Sequence, residues 1–155
     1  MDTIIIFTDG ACSNNGKKCA RAGMGVHFPN GELADMSLAF TIVPITNQRA
    51  ELGAIFLALK YYKKNDLSAD NKIIIYTDSN YSIKCLTQYI ITWKKNGWKT
   101  SNGKEVANQD LIKAIGRYME TYNVQFYHVR SHTGLTDFNS INNAIADHLA
   151  TSALK

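Results

Sequence analysis

Two stretches of the chain place an acid where an apolar run stops. Ile4-Ile5-Ile6-Phe7 leads into Thr8-Asp9-Gly10, and Ile73-Ile74-Ile75-Tyr76 leads into Thr77-Asp78-Ser79. Each run is β-branched and aromatic, so each reads as a strand buried on both faces. Taken singly, such an Asp reads as a turn cap. Side by side and parallel, the two strands would deliver both carboxylates to one sheet edge, where open α/β sheets gather their ligand sites. Two ionised Asp a few ångströms apart repel, and one keeps its proton unless a cation intervenes. A divalent metal removes that conflict.

Two further acids stand at element starts. Glu51 falls in the first turn of one predicted helix and Asp147 in the first turn of another. Hard oxygen ligands without a Cys/His cluster favour Mg²⁺, with Mn²⁺ as a substitute, over zinc. Two such ions, roughly 3.5–4 Å apart, can divide the work on a phosphodiester, one activating water and the other stabilising the leaving oxygen. His132, in the loop before Asp147, could orient that water or protonate the leaving group.

The elements that must hold these groups follow from pattern. Gly23–Phe28 and Glu32–Phe40 read as strands around the Pro29-Asn30-Gly31 turn. With the first strand they make an antiparallel meander, because the connections are too short for crossover helices. Thr46-Asn47 caps a helix to about Lys63, whose Leu52, Ile55, Phe56 and Leu59 share one face. Ser79 or Asn80 starts a second helix through Ile83, Leu86, Ile90 and Trp93. Asn108 caps a third, with Leu111, Ile115, Tyr118, Met119 and Tyr122 inward. Val124–Val129 is a strand, Arg130–Ile141 a long loop, and a last helix begins near Asn142 with Ala146, Leu149, Ala150 and Ala153 inward.

Composition narrows the class. At 155 residues, 45% hydrophobic and 19% charged, the chain reads as a single domain over residues 1–155. No apolar run approaches a membrane span, and Met1-Asp2 does not begin a signal peptide, so an intracellular setting, cytoplasmic or nuclear, is expected. Cys12, Cys19 and Cys85 contain no Cys-x-x-Cys spacing, which argues against a disulfide framework. The net charge of +4 suits a polyanion. Ser79–Lys104 contains no acid but carries Lys84, Lys94, Lys95, Lys99 and Lys104, with Trp93 and Trp98 among them. Lysine interleaved with aromatics suits a nucleic-acid backbone; the plainer reading is a solvated basic face.

With these residues in place the sequence resembles type 1 ribonuclease H, in its eukaryotic form, over almost its whole length. The matching pieces are Phe7-Thr8-Asp9-Gly10, Arg21-Ala22-Gly23, Thr46-Asn47-Gln48-Arg49-Ala50-Glu51 and Tyr76-Thr77-Asp78-Ser79. Trp93 through Ser101, Gly103-Lys104-Glu105-Val106, His128-Val129-x-x-His132 and Asn143-x-x-Ala146-Asp147 follow in the same order. Two positions depart from the pattern: Pro44 stands where an arginine is usual, and Ala144 where a glutamate is.

The resemblance implies an α/β fold of the ribonuclease H type, a five-stranded mixed sheet of an antiparallel meander plus parallel strands, flanked by helices. It implies endonucleolytic hydrolysis of the RNA strand of an RNA/DNA hybrid with two Mg²⁺ ions, leaving 5′-phosphate and 3′-hydroxyl ends. Asp9, Glu51, Asp78 and Asp147 would be the catalytic metal ligands and His132 an assistant. Cys12, Asn15, Asn47 and Gln48 would touch the RNA strand. Thr46, Asn80, Trp93, Thr100, Ser101 and Asn108 would touch the DNA strand, with Lys94, Lys95 and Lys99 beside them. The expected partner is the hybrid duplex, with no membrane, and the expected state a monomer. Rival readings are a non-catalytic hybrid-binding module and a related-fold nuclease such as a junction resolvase.

Overall fold

A computed structural model describes residues 1–18 and 20–155; Cys19 lies outside the described residues. β1 (Thr3–Ser13), β2 (Arg21–His27) and β3 (Met36–Phe40) form the antiparallel meander. β1 also pairs in parallel with β4 (Lys72–Thr77), and β4 with β5 (Asn123–His128). The order across the five-stranded sheet is β3-β2-β1-β4-β5, the mixed α/β arrangement expected. Parallel neighbours need crossovers. α1 (Asn47–Lys64) supplies the first, between the meander and β4.

The period of two along each strand divides the core. Ile4, Ile6, Val26, Ile73 and Ile75 face the side covered by α1, where they join Leu52, Ile55 and Leu59. Phe7 and Val129 face the other side and meet Ala146 of α5 (Phe138–Ser152). Gly23 and Gly25 let α5 approach that closely. A Cβ on either would sit 2.1 Å from the Ala150 oxygen or 2.2 Å from the Ala146 oxygen. α4 (Gln109–Thr121) buries Leu111, Ile112 and Ile115 and packs on α1. No helix among the described residues is long and apolar enough to cross a membrane.

Several boundaries differ from expectation, each for a local reason. β1 does not stop at Asp9. Its parallel pairing ends at Phe7↔Tyr76, while its antiparallel pairing continues to Ser13↔Arg21. β3 starts at Met36 rather than Glu32, because the Asp35 carboxylate turns back to accept from Phe28 N–H at 3.0 Å and to pair with His27 Nδ1 at 2.9 Å. The helix after Asp78 is three pieces: α2 (Asn80–Lys84), a π turn at Cys85–Tyr89, and α3 (Ile90–Asn96). Here Thr87 Oγ1 donates to the Ile83 carbonyl at 2.6 Å, the back-bonding by which a hydroxyl competes with helical geometry. α5 starts at Phe138, not near Asn142, because Asp137 caps it by accepting from Ser140 N–H at 3.3 Å. The expected 130–141 loop is shortened accordingly. Asn108 precedes α4 in the left-handed region, at φ 62°, without a side-chain cap bond. Its amide is used elsewhere.

Candidate active site

Glu51 reaches Asp9 through a glycine. Gly10 on β1 faces α1 so closely that a Cβ there would lie 2.4 Å from the Ala50 carbonyl carbon and from Glu51 N. That approach brings Glu51 Oε1 within 2.6 Å of Gly10 N–H, which also lies 3.0 Å from Asp9 Oδ1. Asp78 arrives from the end of β4, one strand away. One carboxylate oxygen from each of Asp9, Glu51 and Asp78 lies within 4.8 Å of the others. Asp147 of α5 and His132 of the preceding loop line the same cleft, with Asn47, Gln48 and Asn80, around about 430 Å³. Asp147 is not part of the tight triplet.

The cluster is short of compensation. Asp9 is 3% exposed and Glu51 7%. Burial, followed by the charge of Asp78, pushes the Asp9 carboxyl up to about 8. Burial, followed by the charges of Asp9 and Asp78, lifts Glu51 well above the usual carboxylate range. None of the ion pairs among the described residues involves these acids. Buried, mutually repelling oxygens with only an amide N–H to share fit a hard divalent cation, whose charge would cancel both penalties.

The sign of the resulting pH dependence is opposite to that of an ion-paired acid. Unfolded, Asp9 loses its proton near 3.8; folded and ion-free, it holds it to about 8. Between those values the folded chain binds more protons than the unfolded one. Stability without metal therefore falls as pH rises through this window, by up to ~1.4 kcal/mol per pH unit for one such proton. Thermal melts of ion-free protein should give a lower Tm at about pH 8 than at about pH 5, and Asp9→Asn should flatten that difference. Equal slopes in the two proteins would contradict it.

The remaining expected residues fall into two groups. Asn47 and Gln48 line the cleft, and Asn15 and Cys12 lie next to Asn47. Asn15 Oδ1 accepts from Asn47 N–H at 3.0 Å and lies 3.9 Å from Cys12 Sγ. Cys12 and Cys85 are both free thiols. Thr46 and Asn108 are joined through Arg49, a buried side chain whose structural role the sequence does not announce. Thr46 Oγ1 accepts from Arg49 N–H at 3.1 Å, and Arg49 Nη1 donates to Asn108 Oδ1 at 3.3 Å. The guanidinium forks onto Asp110 at 2.8 and 2.7 Å, while Asn108 Nδ2 donates to Tyr81 OH at 2.8 Å. The only advance sign is a cation in the first turn of α1, the end of a helix whose dipole disfavours one.

Trp93, Lys94, Lys95, Lys99, Thr100 and Ser101 stand apart, on α3 and the turn after it. This turn closes through Thr100 N–H to the Lys104 carbonyl at 2.7 Å and Val106 N–H to the Trp98 carbonyl at 3.0 Å. Trp93 and Trp98 lie 5.8 Å apart and pack on the core, so the tryptophans hold the turn while the lysines face out. A second unforeseen link lies under α5. His27 Nε2 meets Asn142 Oδ1 at 2.7 Å, and Asn142 Nδ2 donates to the Phe138 carbonyl at 2.8 Å. This ties β2 to the first turns of the helix that carries Asp147.

A family model described as RNase H matches residues 1–155. A probable ribonuclease H of Acanthamoeba polyphaga mimivirus is 44% identical over 141 residues, 91% of this chain and 62% of that protein. Ribonuclease H1 of Homo sapiens is 38% identical over 154 residues, 99% of this chain and 51% of that protein. The chain thus spans about half to 62% of the length of these relatives. The solution structure of the PFV RNase H domain superposes with a TM-score of 0.77 at 26% identity, covering 97% of this chain and 93% of that domain. By sequence and by fold, the chain belongs to the RNase H family.

Proposed function

We propose that this chain, acting as a monomer, hydrolyses the RNA strand of an RNA/DNA hybrid at the Asp9–Glu51–Asp78 cleft. The observation that carries this reading is the triplet of carboxylates within 4.8 Å, two of them buried, in a chain of the RNase H family. Asp9, Glu51 and Asp78, with Asp147 beside them, would hold Mg²⁺, two ions in the full form of the proposal. When bound, such ions supply the positive charge that makes water nucleophilic and offsets charge on the leaving oxygen. Water adds to phosphorus and the 3′-oxygen leaves, giving 5′-phosphate and 3′-hydroxyl ends. Asn15, Asn47 and Gln48 would read the 2′-hydroxyl, the group that distinguishes RNA from DNA. Labelled RNA/DNA, RNA/RNA and DNA/DNA duplexes, each with and without Mg²⁺, test the reading. Only the hybrid should be cut, only in its RNA strand and only with the ion; equal cutting of all three would defeat it.

His132 is exposed on its loop, at φ 53°, and lines the cleft. In this reaction it would orient water or pass a proton, while the acids of the cleft hold the metal without it. His132→Ala is therefore expected to slow turnover by about 10²-fold without abolishing it. Wild-type rates in both single and multiple turnover would remove it from the mechanism.

The basic turn carries substrate rather than chemistry. Lys94 pairs with Glu120 at 3.6 Å and Lys99 pairs with Glu105, both exposed pairs that compete weakly with phosphate. Replacing Lys94, Lys95, Lys99 and Lys104 together by Ala should raise KM and leave kcat nearly unchanged. The slope of log affinity against log salt should flatten by just under one for each phosphate that a lysine no longer neutralises. An unchanged KM and slope would reduce these lysines to a solvated surface.

A further inference from the structure

We propose that Arg130, with His128, forms a phosphate-binding subsite that grips the RNA strand beside the scissile bond, on the β5 side. The inference deepens the hybrid-cleaving reading and rests on it. Beyond Asp78, away from α1, lies a cleft of about 500 Å³ lined by Asp78, His128, Arg130, Ser131, Thr133 and Leu135. It shares Asp78 and Ser131 with the acid cleft, so the two form one continuous groove.

The backbone sets both basic side chains along that groove. β5 is an edge strand whose last paired residue, His128, lies opposite Thr77. Val129 continues the strand direction, donating its N–H to the Thr77 carbonyl at 3.0 Å, and buries its side chain against Phe7. By the alternation of an extended chain, His128 and Arg130 then project together on the face opposite Val129, and both are exposed. Neither forms an ion pair among the described residues.

Charge supplies the reason for such a subsite. The acid cluster repels a polyanion wherever its own ions do not neutralise it, and the neighbouring phosphates feel that repulsion. The lysines of the turn after α3, which stand apart from the cleft, would offset it only farther along the duplex. On the β5 flank, Asp78 is the only acid lining the cleft, and His128 and Arg130 are its basic groups. A guanidinium presents a planar fork to two phosphate oxygens, and an imidazole offers an N–H in either protonation state. Thr133 holds the loop in place, donating to Ser140 Oγ at 2.9 Å and accepting from Leu135 N–H at 3.1 Å. The groups present read phosphate, not base identity, so the subsite should be indifferent to sequence.

Binding of hybrids carrying one neutral methylphosphonate linkage, moved stepwise along the RNA strand, tests this in wild type and Arg130→Ala. Fluorescence anisotropy reads affinity in parallel with cleavage. Arg130→Ala should weaken binding of the unmodified hybrid about tenfold, raise KM by a similar factor and leave kcat within about twofold. Its salt slope should fall by about one, and Arg130→Lys should recover part of the loss. At one linkage, the methylphosphonate should weaken binding to wild type but not further weaken binding to Arg130→Ala, the non-additivity of two groups that touch. Additive losses at every linkage, or an unchanged affinity and slope, would overturn the subsite. A wild-type chain that binds hybrid but cuts nothing would overturn the cleavage reading and still leave the subsite decided by anisotropy. A chain that binds no hybrid would overturn both.

Discussion

Asp78→Asn is expected to lower RNA-strand cleavage by more than ~10³-fold while the ion-free protein melts no lower than wild type. The two halves of this result have one cause. Asp78 is half-buried at the end of β4, and its charge adds to burial in raising both Asp9 and Glu51. The amide keeps the shape and removes that repulsion, so the fold without metal is relieved. The amide is also a poor ligand for a hard cation, so the chemistry fails. Rates measured at saturating Mg²⁺, beside melts in chelator, separate the effects. Near-normal cleavage would remove Asp78 from the metal-binding set. A large fall in Tm would make it a structural residue.

Gly10→Ala is expected to damage both fold and activity, although Gly10 carries no functional group. Its added Cβ would lie 2.4 Å from backbone atoms of Ala50 and Glu51, where no flexible side chain can swing aside. β1 and α1 must separate. Overpacking of this kind costs about 1–3 kcal/mol or more, which should lower Tm by several degrees. The separation also draws Glu51 away from Asp9, and a displacement of about 1 Å at a reacting centre costs ~10²-fold in rate. The expected variant is folded, less stable, and impaired even at temperatures where it is fully native. Wild-type stability together with wild-type kcat would show that the close approach at Gly10 does not position the site.

The acids could be found in the sequence because each follows a signal of its own. The runs at Ile4–Phe7 and Ile73–Tyr76 announce buried strands, and an acid at the end of each stands out. Glu51 lies beside a helical face whose Leu52, Ile55 and Leu59 are fully buried, as their spacing predicts. The residues without such a signal act over long sequence separations. Gly10 matters only because α1 returns to it, and Arg49 only because Asn108 and Asp110 arrive from α4. His27 and Asn142 meet across 115 residues. Boundaries shifted where a side chain overrode periodicity: Asp35 ended the run expected to begin β3, Thr87 accompanied the π turn, and Asp137 started α5 early. The basic turn was visible as composition. That leaves its division of labour open between a nucleic-acid grip and a basic face with packed tryptophans, and the structure sets Trp93 and Trp98 against the core.

Calorimetric titration of the ion-free protein with Mg²⁺ at about pH 7, in two buffers of different ionisation heat, asks directly whether the acid cluster is a metal site. Asp9 keeps its proton up to about 8, so an ion entering beside it must displace that proton. The predicted result is saturable binding with net release of at least one proton at pH 7, less release as pH rises beyond about 8, and no binding to a triple variant Asp9→Asn, Glu51→Gln, Asp78→Asn. Absence of saturable binding, or equal binding by the triple variant, would contradict it.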